Sequence, residues 1–174
     1  MAVALLAGTL LSIVGFLLTS VQGFALAAHL AAADPAARML VGKHVAYAIP
    51  TVLLSLFSQS MVLFYFIGTG RLIKDEIAAY APAPRRVLLE ALRRFKRTTS
   101  PPATFALLSA IAVFVAGGAV HTRALPSWVH LATSLLAVAT HVWALIAEWS
   151  AFLENGRLMA DPAAYARRAD AGGR

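Results

Sequence analysis

The sequence contains no cysteine and few charged residues. Asp, Glu, Lys and Arg together make up 13% of its 174 residues, against about 25% in an average soluble domain. Without cysteine the chain has no disulfide, no Cys-ligated zinc and no thiol nucleophile. The small charged fraction, with a mean hydropathy of +0.74, predicts an integral membrane protein with little mass outside the bilayer.

Motifs for catalysis and nucleotide binding are also missing. The sequence has no Gly-rich phosphate loop, no HExxH helix and no Gly-x-Ser-x-Gly elbow. This disfavours a hydrolase or a nucleotide-driven transporter and favours a non-catalytic or electron-transfer subunit. The net charge of +7 does not indicate nucleic acid, because the basic residues flank apolar stretches and anionic lipid is the simpler partner.

Four apolar stretches are long enough to cross a hydrocarbon core of about 30 Å as helices. They cover approximately residues 2–28, 40–70, 102–121 and 127–153. For the first stretch a cleaved signal peptide is the alternative, but no Lys or Arg precedes it and it is longer than a signal peptide's apolar region. We therefore expect it to remain in the protein, which predicts an all-α membrane protein with four transmembrane helices.

The second and fourth stretches repeat one design at an offset of 86 positions. His44 aligns with His130 near the start, and the Gly-Arg-Leu of residues 70–72 aligns with that of residues 156–158. Such a repeat indicates duplication of a two-helix hairpin. Each hairpin begins and ends on the same side of the membrane. The two hairpins are therefore predicted to form a four-helix bundle as parallel repeats, related by a pseudo-twofold axis along the membrane normal.

The pattern divides the chain into two hairpins, a linker and a tail. The hairpins cover residues 1–70 and 101–156, the basic linker residues 71–100 and the tail residues 157–174. After Pro84 the linker has apolar residues on one helical face and basic residues on the others, which is typical of a helix lying on anionic headgroups. Docking on a partner protein is the alternative. The predicted lipid-binding residues are Arg85, Arg86, Arg93, Arg94, Lys96 and Arg97.

The distribution of basic residues predicts the orientation in the membrane. Twelve of the 15 Lys and Arg residues lie in the linker and the tail, and the other three lie in or near the two hairpin turns. By the positive-inside rule, both termini and the linker are cytoplasmic and the turns face outward. Richness in Ala, Arg, Leu and Val suggests a bacterium with a GC-rich genome, so the predicted location is a bacterial inner membrane.

Four of the five histidines lie where the helices meet the hairpin turns. His29 and His121 end the first and third helices, and His44 and His130 begin the second and fourth. If helices adjacent in sequence are adjacent in space, His44 and His130 face each other across the bundle. Two facing imidazoles suit the iron of haem b, and four at one level suit copper, zinc or iron. Interfacial histidines without any cofactor are the alternative.

The fifth histidine, His141, lies in the middle of the fourth apolar stretch. It is about 16 Å below His130 on the same helical face, where ionisable groups usually face a bundle interior or cavity. Glu148 follows seven residues later, and Ser55 is the equivalent of His141 in the second helix. The three are predicted to form an interior proton relay or to line a quinone pocket, with interhelical hydrogen bonding as the alternative.

These patterns lead to one functional hypothesis and one alternative. We expect a small membrane subunit that binds haem b, or a transition metal, through His44 and His130. His29 and His121 would be additional metal ligands, although they match in the repeat only if the first turn carries a six-residue insertion. The subunit would transfer electrons within a larger complex of other membrane subunits or further copies. The alternative is a cofactor-free structural or assembly subunit.

Overall fold

Helices make up the whole regular structure of the protein. The structure is a computed structural model, and it describes residues 1–32 and 34–172, so the last two residues of the predicted tail lie outside it. Within those residues there are no strands. The elements are α1 (Ala2–Ala31), α2 (Ala37–Glu76), a 3-10 helix (Ile77–Ala79), α3 (Pro82–His121), α4 (Ser127–Ala160) and α5 (Pro162–Gly172). Helices α1 to α4 are each long and apolar enough to cross a membrane, which confirms the predicted class.

The four long helices form an antiparallel bundle. Consecutive helices are neighbours, and α4 closes the ring against α1. Helices α1 and α3 are therefore diagonal to each other, as are α2 and α4, as the short connections predict. We call the end with the α1–α2 and α3–α4 connections the turn end, and the opposite end, with both termini and the 3-10 helix, the terminal end. A twofold relation between the hairpins stays a prediction.

Small residues let the helices approach closely. A Cβ atom on Gly15 of α1 would lie 2.7 Å from Cγ2 of Thr51 on α2, so only glycine fits at that point. Close backbone approach increases the dispersion contacts that hold membrane helices together. Alanines serve the same purpose between α3 and α4, where the fully buried residues include Ala103, Ala106, Ala110, Ala137 and Ala144.

Helix α3 joins the predicted amphipathic helix to the third apolar stretch as one helix of 40 residues. The sequence suggested two helices divided at Pro101 and Pro102, because proline usually interrupts a helix. The two prolines remove the hydrogen bonds that the carbonyls of Arg97 and Thr98 would accept. Both of those residues are exposed, so water or headgroups can solvate their carbonyls, and the helix continues.

The apolar face of the basic linker is covered by protein. Leu88, Leu92 and Phe95 of α3 are buried together with Ile73 and Ile77, and residues of α4 and α5 complete the cluster. This corrects the expectation that the apolar face rests on lipid, because the ends of α2, α4 and α5 occupy that position. The basic side chains of the same helix are exposed, so their contact with anionic lipid stays a prediction. They are Arg85, Arg86, Arg93, Arg94, Lys96 and Arg97.

Candidate functional site

His44 of α2 and His130 of α4 meet across the centre of the bundle at the turn end. Their ring centroids are 6.0 Å apart and the ring planes are nearly perpendicular, at 89°. Both side chains are half-buried, and Nδ1 of each ring is buried without a hydrogen-bond partner. The sequence therefore located this contact correctly, while the role of the two histidines as ligands stays a prediction.

Each of the two rings rests on a glycine of the preceding helix. A Cβ atom on Gly23 of α1 would lie 3.7 Å from Cε1 of His44, and one on Gly117 of α3 would lie 3.1 Å from Cε1 of His130. The second distance is shorter than an ordinary van der Waals contact. The two glycines therefore allow both rings to pack directly against the helices that flank the histidine pair.

Glycine also uncovers the backbone carbonyl one turn earlier in each helix. Those carbonyls belong to Thr19 and Val113, four residues before the two glycines, and they lie beside the rings of His44 and His130. Neither contact has the geometry of a full hydrogen bond. A metal-ligating histidine commonly donates its second ring N–H to a backbone carbonyl. Both rings thus have the acceptor that such a ligand uses.

The ring separation is short enough for one metal ion to bind both histidines. Two metal–nitrogen bonds of about 2.0 Å fit a centroid separation of 6.0 Å when each ring turns a nitrogen towards the other; in the structure both nitrogens of His130 lie beside Gly117. Imidazole is also a suitable ligand for iron, copper and zinc. The donor set therefore fits a group with two imidazole ligands.

The other two histidines of the turn end do not join this pair. Nδ1 of His29 lies 2.7 Å from Oδ2 of Asp34, and His121 is exposed at the end of α3. The backbone N–H of Ala36, followed by His29, holds the pKa of Asp34 below its usual value. Over residues 1–32 and 34–172, no three His, Cys, Asp or Glu side chains are placed to hold a metal ion. The four histidines of the turn end therefore do not form one cluster in the structure, and a metal site that uses all four stays a prediction.

His141 is fully buried at the centre of the bundle. Its Nδ1 lies 2.7 Å from the carbonyl of Ala137 and its Nε2 lies 2.6 Å from Oγ of Ser55. Because a carbonyl only accepts, Nδ1 carries the hydrogen, and Nε2 of the neutral ring accepts from the serine hydroxyl. Phe16 of α1 covers the ring, with centroids 4.9 Å apart. Both ring nitrogens are thus engaged, and neither is free for a cofactor.

Glu148 belongs to a second polar cluster, two helical turns nearer the terminal end. Its Oε2 accepts from the Thr9 hydroxyl at 2.9 Å, and Nε2 of Gln59 donates to Oγ1 of Thr9 at 3.0 Å. All three side chains are fully buried. No hydrogen bond among the described side chains joins this cluster to His141. The relay predicted from Ser55 and His141 to Glu148 is therefore divided into two separate groups.

Buried polar residues continue along one face of α4 beyond Glu148, the last of them predicted from the sequence. Ser134, His141, Glu148 and Asn155 are seven residues apart in succession, and all four are buried. Nδ2 of Asn155 donates to the hydroxyl of Tyr65 on α2 at 3.2 Å. Residues seven apart lie on nearly the same helical face, so the seven-residue period was the signal that would have identified Asn155.

Thr9, Phe16 and Gly23 of α1 were not identified from the sequence, because they carry no comparable signal. Gly23 and Gly117 are 94 positions apart, whereas the histidines they support are 86 apart. The two connections are equally long, but α1 continues four residues further beyond its glycine than α3 does, and α2 begins four residues earlier before its histidine than α4 does. No single offset therefore aligns both helices of the hairpins. At either offset, Thr9 has no polar counterpart and Phe16 has no aromatic counterpart.

No protein-family model matches the chain, and no curated protein or solved structure is significantly similar to it. Two groups of interior side chains are thus the candidates for function. One is the pair of His44 and His130 at the turn end, and the other is the cluster of Thr9, Gln59 and Glu148.

Proposed function

We propose that the protein is a small membrane subunit that holds haem b, or a transition metal ion, between His44 and His130 and takes part in electron transfer. One observation carries this proposal: two facing imidazoles, 6.0 Å apart, each have a buried Nδ1 without a hydrogen-bond partner. Buried polar atoms in proteins are nearly always paired. A metal centre bound by both rings would fix their tautomers and orient their second nitrogens towards backbone acceptors.

The surroundings of the pair support this role. The carbonyls of Thr19 and Val113 lie beside the rings and would accept the second ring N–H, which orients a ligating imidazole and raises its basicity. Exposed cations near the turn end would neutralise the propionates of a haem: Arg38, Lys43 and Arg123. The bound group would supply the one-electron redox chemistry, while the apolar bundle would limit solvent access and so tune the potential.

The matched surroundings of the two histidines also support the proposed hairpin duplication. In each half, a histidine of the later helix lies on a glycine of the earlier helix, beside the carbonyl four residues before that glycine. A duplicated hairpin with a pseudo-twofold axis explains why two separate stretches of sequence build the same local arrangement.

The subunit works within a larger complex in a bacterial inner membrane, with its terminal end in the cytoplasm. The concentration of basic residues at that end supports this orientation. The exposed arginines of α3 would contact anionic lipid or an acidic partner subunit. A quinone at His141 is not part of this proposal, because both ring nitrogens are already engaged.

An optical spectrum of the purified protein, expressed with an adequate haem supply, tests the metal site. A Soret band that shifts on dithionite reduction is expected for haem b, and elemental analysis would detect a bound metal ion instead. His44→Ala or His130→Ala should abolish the band or the bound metal. His29→Ala and His121→Ala are the matched controls, and they should leave either signal unchanged.

A colourless preparation without bound transition metal would contradict the proposal. It would favour the alternative from the sequence, a cofactor-free structural or assembly subunit. A signal that survives both His44→Ala and His130→Ala would place the metal elsewhere and would equally contradict the assignment.

A further inference from the structure

Glu148 is the single acidic residue in the apolar parts of the four long helices. Residues 2–28, 44–70, 101–120 and 127–153 contain no other Asp or Glu, and no Lys or Arg. An ionisable side chain inside a membrane bundle is costly and commonly functional. Glu148 is moreover fully buried, and no cationic side chain forms an ion pair with it in the described part of the chain. The carboxyl is therefore placed without a countercharge.

The hydrogen bonds around Glu148 have a defined direction. The amide of Gln59 donates to Oγ1 of Thr9 at 3.0 Å, so the threonine oxygen is an acceptor there. The single hydrogen of Thr9 then goes to Oε2 of Glu148 at 2.9 Å. The carbonyl of Leu5 is a poorer acceptor for it, at 3.3 Å. This series of hydrogen bonds thus runs from α2 through α1 and ends on one oxygen of the carboxyl.

Two oxygens of the cluster have no donor. Oε1 of Glu148 and Oε1 of Gln59 are both buried without a hydrogen-bond partner, and both residues are hydrogen-bonded to Thr9. Two unpartnered acceptors in one apolar cluster are unfavourable. A single hydrogen on the carboxyl would remove both deficits if Oε1 of a protonated Glu148 donates to Oε1 of Gln59.

We propose that Glu148 is a proton-binding site inside the membrane, with its proton shared with Gln59 and its other oxygen held by Thr9. The ligand is a proton and not a metal cation, because ions such as Mg²⁺ and Ca²⁺ take about six or more oxygen ligands. The cluster has four side-chain oxygens, and the Thr9 oxygen already accepts from Gln59. This site does not depend on a cofactor at His44 and His130.

The groups that face Glu148 are uncharged. Thr9 is its partner on α1 and Gln59 on α2, and α3 has no ionisable residue between residues 101 and 120. On α4 the titratable group on the same helical face is His141, one heptad away and engaged with Ser55, while Glu154, six residues away towards the terminal end, lies near Arg157. When the proton leaves to water, Gln59 would have to turn its NH₂ group towards the carboxylate and release Thr9. Protonation would thus be linked to the contact between α1 and α2.

Labelling of the full-length protein with dicyclohexylcarbodiimide tests this site. The reagent adds to a protonated carboxyl in an apolar environment, and mass spectrometry of peptides locates the adduct. We expect modification at Glu148 in mildly acidic buffer and its loss in alkaline buffer, with no protection by sodium chloride. Glu148→Gln should abolish it, whereas Glu154→Gln should not, since Glu154 is partly exposed and lies near Arg157.

A second variant checks the direction of the hydrogen bonds. Thr9→Val keeps the shape of the side chain but removes the donor to the carboxylate, so modification of Glu148 should persist to a higher pH than in the wild type. Modification that is absent at every pH, that does not depend on pH, or that sodium ions prevent would overturn the proposal. If Glu148→Gln does not accumulate, the pH profile of the wild type decides the question, and the optical spectrum plays no part in it.

Discussion

Two pairs of residues, each 86 positions apart, meet across the bundle with different chemistry. At the turn end both members are histidines, half-buried, and each has an unpartnered Nδ1. In the centre the equivalent pair is Ser55 and His141, fully buried and joined by a 2.6 Å hydrogen bond. A serine and a histidine complete each other as donor and acceptor, whereas two neutral histidines at 6.0 Å do not.

The two pairs thus differ along the bundle axis in whether their polar atoms are satisfied by the fold itself. The central pair satisfies its own hydrogen bonds and therefore contributes to the fold by itself. The pair at the turn end gains little from the fold alone, because its polar atoms need a further partner. Four experiments can break or sharpen this comparison, and they are given in order of decreasing expected effect.

Removal of the central histidine should have the largest effect on stability. His141→Ala leaves a cavity and an unpaired Ser55 hydroxyl, which we expect to lower the free energy of unfolding by about 3–5 kcal/mol. His44→Ala should change it by less than about 1 kcal/mol, because the ring is half-exposed and has no hydrogen bond to lose. Reversible unfolding in mixed micelles measures both. Equal losses for the two variants would remove the distinction between the pairs.

Removal of the central serine should have a smaller effect of the same kind. Ser55→Ala leaves Nε2 of His141 buried without a donor, and we expect a loss of about 1–3 kcal/mol in the same unfolding measurement. Ser60→Ala, on the same helix at a half-buried position, is the control and should change stability by about 0.5 kcal/mol or less. The optical or metal signal should be unchanged in both variants. Loss of the signal in Ser55→Ala would show that the central pair influences binding at the turn end.

Two adjacent glycines of α3 allow a matched test at the turn end. A Cβ at Gly117 would lie 3.1 Å from the His130 ring, whereas one at Gly118 would meet nothing within 4 Å. Gly117→Ala should therefore displace the ring and reduce bound haem or metal. Gly118→Ala should retain the bound group and gain up to about 1 kcal/mol from helix propensity. Equal binding by both variants would show that the ring position is unimportant.

Removal of the Asp34 carboxylate, in the connection between α1 and α2, should have the smallest effect on stability. The pKa of Asp34 is held below 3.8 by the Ala36 N–H and by His29. A lowered folded-state pKa contributes stability that is present above the unfolded value and lost as the pH falls through the folded value. Asp34→Asn should remove this acid-side dependence in unfolding measured against pH. The cofactor signal should not change; if it did, His29 would belong to the site.

Much of the fold and one part of the site followed from the sequence. Only helices and closed barrels satisfy the backbone in a bilayer, so the four apolar stretches predicted four helices. Short connections made consecutive helices neighbours, and the repeat then placed His44 opposite His130. These predictions rested on strong constraints, namely membrane thickness, turn length and a fixed offset.

The remaining features of the fold and the site depend on tertiary packing, which a single sequence does not reveal. The terminal ends of α2, α4 and α5 cover Leu88, Leu92 and Phe95, but an apolar helical face looks the same whether lipid or protein covers it. The continuity of α3 through Pro101 and Pro102 depends on exposure of the freed carbonyls, which only the fold provides. The partners of Glu148 came from α1, where neither spacing nor charge distinguished Thr9.

The continuous α3 joins the two ends of the molecule by one helix. Its 40 residues span about 60 Å at 1.5 Å per residue, and about 48 Å of that length separates Arg85 at the terminal end from Gly117 beside His130. Pro101 and Pro102 remove two hydrogen bonds from the helix between those ends. A single helix thus connects the exposed arginines of α3 to the contact between Gly117 and His130.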